Sequence, residues 1–224
     1  MTETTVSRWL GLLAAVMVML SVLVACARGV GDAARESTGN GTEGETEEPV
    51  SAEVILPPDT LLFESLGGGY CAVTGLGSWQ DPVLKIPEQS PAGELVIRIA
   101  SRAFFGCPFL KEVWIPATVR EIGALAFGGC GALRAIGVSE DNPCFASPGG
   151  VLYTKDYRVL MHYPAMREGE KVLIPATVAV ISEMAFYGCV YLSTVEYASS
   201  AADWERIAIA PRTYSLTAAS VNYT

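Results

Sequence analysis

One histidine in 224 residues, His162, leaves little material for nucleophile and base chemistry. A charge-relay hydrolase needs an imidazole beside its serine, and no Gly-x-Ser-x-Gly surrounds any serine here. With no Cys-x-x-Cys pair and a single histidine, the common zinc frameworks are excluded. Gly67-Gly68-Gly69 is not followed by the Lys-Ser/Thr of a phosphate cradle, and Glu140-Asp141 lacks the ligand spacing of a calcium loop. A basic stripe is also missing: 24 acids stand against 15 bases, for a formal charge of -9, which argues against a nucleic-acid partner. No catalytic residue, metal or cofactor is therefore expected, and His162 reads as a strand side chain facing solvent or half packed.

Long apolar runs are scarce as well. The one that stands out, Trp9 to Ala25, falls short of the roughly 20 residues of a spanning helix and suits the core of a signal peptide. It closes on Leu23-Val24-Ala25-Cys26, which resembles a bacterial lipobox, so residues 1–25 are expected to be removed and Cys26 to carry lipid. The alternatives are an uncleaved anchor or a leader cut elsewhere, and both still put the body outside the cytoplasm. From Ala27 to Glu53, seven acids face two bases, with almost no aliphatic and no aromatic side chains up to Val50. Residues 26–50 are expected to form a disordered acidic tether. Residues 51–69 hold two short apolar patches and read as an N-terminal cap on the first coil of the folded body.

What is abundant is recurrence. Phe104, Cys107 and Leu110 return as Phe127, Cys130 and Leu133, a shift of 23 residues, and as Phe186, Cys189 and Leu192, a further 59. The strand-like aliphatics Val113 and Ile115 shift by the same 23 to Ile136 and Val138. A fixed period in the twenties marks a solenoid whose coils stack and bury a common core. Equivalent residues should form columns: the three cysteines as buried thiols, the three phenylalanines as one ladder. Leu-x-x-Val-x-Ile alternates like a strand, and Pro116 and Pro175 follow its last aliphatic, where pairing must stop. Ile-x-x-x-Ala-Phe has the spacing of a helical turn. Six strands are expected in one parallel sheet, from Leu84–Ile86 through Val113–Ile115, Ile136–Val138, Val172–Ile174 and Val195–Tyr197 to Val221–Tyr223. The second shift exceeds one coil by 36 residues, and residues 139–173 read as a β-hairpin insertion turning at Lys155-Asp156-Tyr157.

The motif Ala-Phe-x-Gly-Cys-x-x-Leu-x-x-Val-x-Ile-Pro, written out by Ala103 to Pro116, resembles the BspA-type leucine-rich repeat of bacterial surface lipoproteins. The likeness spans residues 70–224. It implies an α/β solenoid, a right-handed coil with one parallel sheet and short helical turns opposite. It also implies a lipid-anchored, extracellular or secreted binding and adhesion protein, with a protein or glycan ligand and no enzyme activity. A structural or accessory subunit of a cell-envelope complex is the alternative.

Without chemistry, a surface remains. Outward strand positions place Lys85, Trp114, Gly137, Leu173 and Glu196 in one row across the expected sheet, and Lys85, Trp114, Leu173 and Glu196 are the candidate contacts. Two readings of Trp114 stand side by side: an exposed anchor for a ligand, or a ring covered by residues 51–69.

Overall fold

The computed structural model describes residues 60–224. The expected leader at 1–25, Cys26, the tether at 26–50 and residues 51–59 of the cap lie outside the described residues.

Alternating apolar residues become short strands running along two faces of a solenoid. The chain opens with β1 (Leu62–Gly67), β2 (Tyr70–Gly75), β3 (Val83–Lys85), β4 (Leu95–Ile99), β5 (Glu112–Ile115), β6 (Glu121–Ile122) and β7 (Ala135–Val138). Strands β3, β5 and β7 pair in parallel on the first face, with Lys85, Trp114 and Gly137 in register. Strands β2, β4 and β6 pair in parallel on the second face, and β1 lies antiparallel against β2 at its edge. Along β5 the residues alternate exposed and buried, so Val113 and Ile115 point inward while Glu112 and Trp114 point out.

Next come β8 (Phe145–Ala146), β9 (Leu152–Thr154) and β10 (Val159–His162), all antiparallel to their neighbours in that set. The chain then resumes coiling with β11 (Lys171–Ile174), β12 (Val180–Ile181), β13 (Thr194–Tyr197), β14 (Ala208–Ile209) and β15 (Ser220–Tyr223). Strands β11, β13 and β15 form a parallel sheet on the first face, and β10, β12 and β14 run parallel on the second. All six expected first-face strands form, and β5 and β11 end on the residues before Pro116 and Pro175.

The single sheet expected from the sequence is instead two sheets of three strands, broken between β7 and β11. The expected two-stranded insertion holds three strands, and they partition the core. Leu152 on β9 belongs to an apolar cluster with Phe104, Phe127 and Leu133, whereas its neighbours Val151 and Tyr153 join a second cluster with Phe186, Leu192 and Val195. A strand buried on both faces has no polar side to present, which is why V-L-Y-T lacks alternation.

The expected helical turns are not helices. After β4, β6 and β12 the chain reverses through a left-handed residue, Arg102, Leu125 and Met184 in turn, with φ of 59°, 57° and 56°. A right-handed helix cannot run through that conformation. The turn's N–H groups reach across coils instead: those of Arg102, Phe104 and Gly106 donate to the carbonyls of Ala124, Ala126 and Gly128 at 2.8–3.0 Å. The α/β description gives way to a β-solenoid of about six turns, whose short α-helices among the described residues are Ala201–Trp204 and Tyr214–Ala218. Coil backbones approach so closely that a Cβ on Gly123 would lie 2.3 Å from the Ser101 nitrogen.

The aromatic ladder is also divided. Phe104 stacks on Phe127 at 5.5 Å, but Phe186 stacks on Tyr163 at 5.1 Å. Tyr163 lies 23 residues before Phe186 and takes the phenylalanine place in the inserted coil. Cys107, Cys130 and Cys189 are buried and free. The Cys130 thiol faces the Phe104 carbonyl at 3.0 Å and the Cys189 thiol that of Tyr163 at 3.7 Å, and burial pushes both pKa values up to about 12.

Candidate functional site

The partition places His162 in the column held by Ala103, Ala126 and Ala185 in other coils. It is buried, 6.2 Å from the Phe127 ring, and its Nε2 has no hydrogen-bond partner. The solvent-facing or half-packed strand position expected from the sequence is thus corrected: β10 is enclosed by both clusters. Burial lowers the His162 pKa from the usual 6.5 to about 4, because the imidazolium would lose its hydration without gaining a partner. Protons therefore bind the unfolded chain first as pH falls. Stability from this group is full above about 6.5 and declines down to about 4, by roughly 3 kcal/mol. Denaturant titrations between pH 7 and 4 should show a loss smaller by about this amount in His162→Phe; equal losses would refute the assignment.

With its only imidazole buried between two cores, the chain presents its chemistry as surface. Lys85, Trp114 and Gly137 form one row on the first-face sheet, and Leu173, Glu196 and Asn222 form another beyond the break. The four candidate contacts thus fall into two pairs instead of one row. Trp114 is 49% exposed and Leu173 60%, both large apolar side chains at outward positions on a sheet face. Among the described residues of the cap, β1 lies along the second face, so it does not cover Trp114. Glu196 accepts an ion pair from Lys171 at 3.1 Å.

The indole of Trp114 does not stand upright. A Cβ built on Gly137 would lie 2.6–2.8 Å from three of its ring atoms, so the ring rests face-on over the glycine. The neighbouring strand can accept the ring because position 137 has no side chain. Next to it, the break between the two sheets opens a groove of about 620 Å³. Its walls are Trp114 and Glu112 on β5, Glu140 after β7, and Pro148, Lys155 and Tyr157 from the insertion. Two residues that sequence reasoning missed hold those walls. Asn142, fully buried, donates to the carbonyls of Pro116 and Val119 and accepts from the N–H groups of Cys144 and Phe145. Arg167 donates through Nε to the Gly149 carbonyl at 2.8 Å, with its guanidinium 5.6 Å from the Tyr163 ring centre. An asparagine just after a strand is the one signal that pointed to the first; nothing local marked the second.

Comparison with known families decides what these coils are. The profile of the BspA type leucine rich repeat region matches residues 90–145 and 166–216 in six copies. The coils over these residues are BspA-type leucine-rich repeats. Four of the six first-face strands, β5, β7, β11 and β13, lie inside the matched residues, and the gap in the BspA-type match falls within the insertion expected at residues 139–173. Solved structures with similarity include a leucine rich cell surface protein from Faecalibacterium prausnitzii A2-165, 32% identical over 52% of this chain and 35% of that one, with a TM-score of 0.43. Another is a leucine-rich repeat protein from Eubacterium ventriosum ATCC 27560, 19% identical over 51% of this chain and 42% of that one, TM-score 0.41. A third, the T. pallidum leucine rich repeat protein, is 21% identical over 63% and 70% of the two chains, TM-score 0.44. This chain spans about a third of the first of these and about two fifths of the second. No curated protein matches it. Among its described residues, no helix is long and apolar enough to cross a membrane, and no cluster of His, Cys, Asp or Glu is grouped to hold a metal.

Proposed function

We propose that this chain is a protein-binding repeat module displayed on the outer side of the cell, held there by lipid on Cys26 and lifted from the membrane by the acidic stretch at 26–50. The observation that carries the reading is the exposure of Trp114 and Leu173, two large apolar side chains, at outward strand positions of the first face. The leucine-rich repeat match and the cell-surface description of the F. prausnitzii protein favour the same placement. Adhesion is the role if the partner belongs to another cell or to matrix. A partner from the same envelope would instead make the chain an accessory subunit.

The test is site-specific photo-crosslinking on intact cells. A photoreactive residue at position 173 should yield a discrete protein adduct, and one at Arg120, exposed near the second-face strand β6, should not. No adduct at 173 above the level at 120 would overturn the reading. The membrane fraction, acylation of the mature terminus and the source of the adduct then separate anchored from secreted and adhesive from accessory roles.

A further inference from the structure

We propose that the groove beside Trp114 receives a guanidinium or ammonium group of the bound protein, laid on the open face of the indole between the carboxylates of Glu112 and Glu140. This rests on the proposed function, in which the partner is a protein. One face of the indole is taken by Gly137, which leaves the other as a flat, electron-rich surface in a groove of about 620 Å³. That is room for a long side chain with its flanking backbone. Tryptophan is the strongest of the aromatic partners for a cation.

The other aromatic rings that meet cations in this chain find them internally: Arg102 lies over Phe105 at 5.2 Å and Arg167 over Tyr163 at 5.6 Å. Trp114 has no such partner among the described residues. The charges around it point the same way. Glu112 precedes Trp114 by two residues on β5 and shares its outward side, while Glu140 follows β7 and lines the same groove. Neither carboxylate has an ion-pair partner within 4.0 Å among the described residues. Of the nearby lysines, Lys155 donates from Nζ to the Glu140 carbonyl at 2.9 Å, which fixes it to the wall. Lys85 lies opposite Trp114 on β3, on the side away from the indole's lean toward β7. The Trp114 ring leans toward β7, and Glu112 and Glu140 line the groove on that ring's open side, so a cation is drawn in from there.

The experiment titrates the full chain, labelled with ¹⁵N, with the blocked tripeptide acetyl-Gly-Arg-Gly-amide and with its norleucine counterpart. The Trp114 indole N–H signal is expected to shift saturably with arginine and not with norleucine, while Trp79 and Trp204 stay unmoved and report an intact fold. Glu112→Gln together with Glu140→Gln should weaken binding by about tenfold. Trp114→Leu, followed at the Gly137 amide, should do the same. No saturable shift, an equal response to norleucine, or unchanged affinity in the glutamine variant would overturn the proposal. Adducts at position 173 without arginine binding would sink this site and leave the protein-binding reading standing. Arginine binding without adducts would do the reverse.

Discussion

Replacing Asn142 with Ala is expected to lower the free energy of unfolding by about 4 kcal/mol or more, one of the two largest single-residue effects foreseen in this chain. The Asn142 side chain joins the loop after β5 to the start of the partition. Nδ2 donates to the carbonyls of Pro116 and Val119 at 2.8 and 3.0 Å, and Oδ1 accepts from Cys144 and Phe145, both at 2.9 Å. Alanine leaves four backbone groups without that partner in a region closed to water, and each buried group left unmade costs about 1–3 kcal/mol. Asn142→Asp separates the two halves of the network. A carboxylate still accepts from the two N–H groups but turns negative charge toward two carbonyl oxygens, so it too should be strongly destabilised at neutral pH. Urea midpoints decide the matter. An alanine variant within about 1 kcal/mol of the parent would show that this loop closes by other means.

Phe186→Ala is the second. The ring is fully buried, stacks on Tyr163 with a 23° interplanar angle, and belongs to the second core cluster. Truncating a buried phenylalanine costs about 3–5 kcal/mol, through lost transfer energy and the cavity left behind. That is a large share of the roughly 5–15 kcal/mol that holds a domain together. The sharp comparison is Phe105→Ala, one position along the same repeat in an earlier coil. Phe105 is exposed, and its loss should cost under about 1 kcal/mol. If the two variants unfolded at the same denaturant concentration, position in the coil would not be what sets the cost.

These two residues also mark how far the sequence could be read. Phe186 announced itself, because a ring repeated at a fixed offset with Cys189 and Leu192 has to sit in the same place in each coil. The inner first-face strands came from the same offsets, and the first and last from the apolar triplets Leu84–Ile86 and Val221–Tyr223. The partner on which Phe186 stacks did not, since the 36 residues beyond one coil looked like an excursion, and Tyr163 keeps the spacing while changing the letter. The divided sheet was hidden for the same reason: a period says that coils stack, not that a strand buried on both sides intervenes. The turns were misjudged because four-residue spacing fits a helix, while the N–H ladder between coils that forbids one is a contact across 22 residues. Trp114 was legible as an outward residue and its glycine neighbour as the position opposite. The groove was not, because its far wall is made by Pro148, Lys155 and Tyr157, which the chain brings near only through the insertion.

The interruption between β7 and β11 has a bearing on how such a chain can change over evolutionary time. Backbone ladders run unbroken within the coils on either side, but on the first face none passes from one set of three strands to the other. Duplication or loss of a whole coil on one side would leave the pairing partners on the other side as they were. Array length can thus drift at the two halves independently, with the partition between them serving as the fixed point from which each is counted.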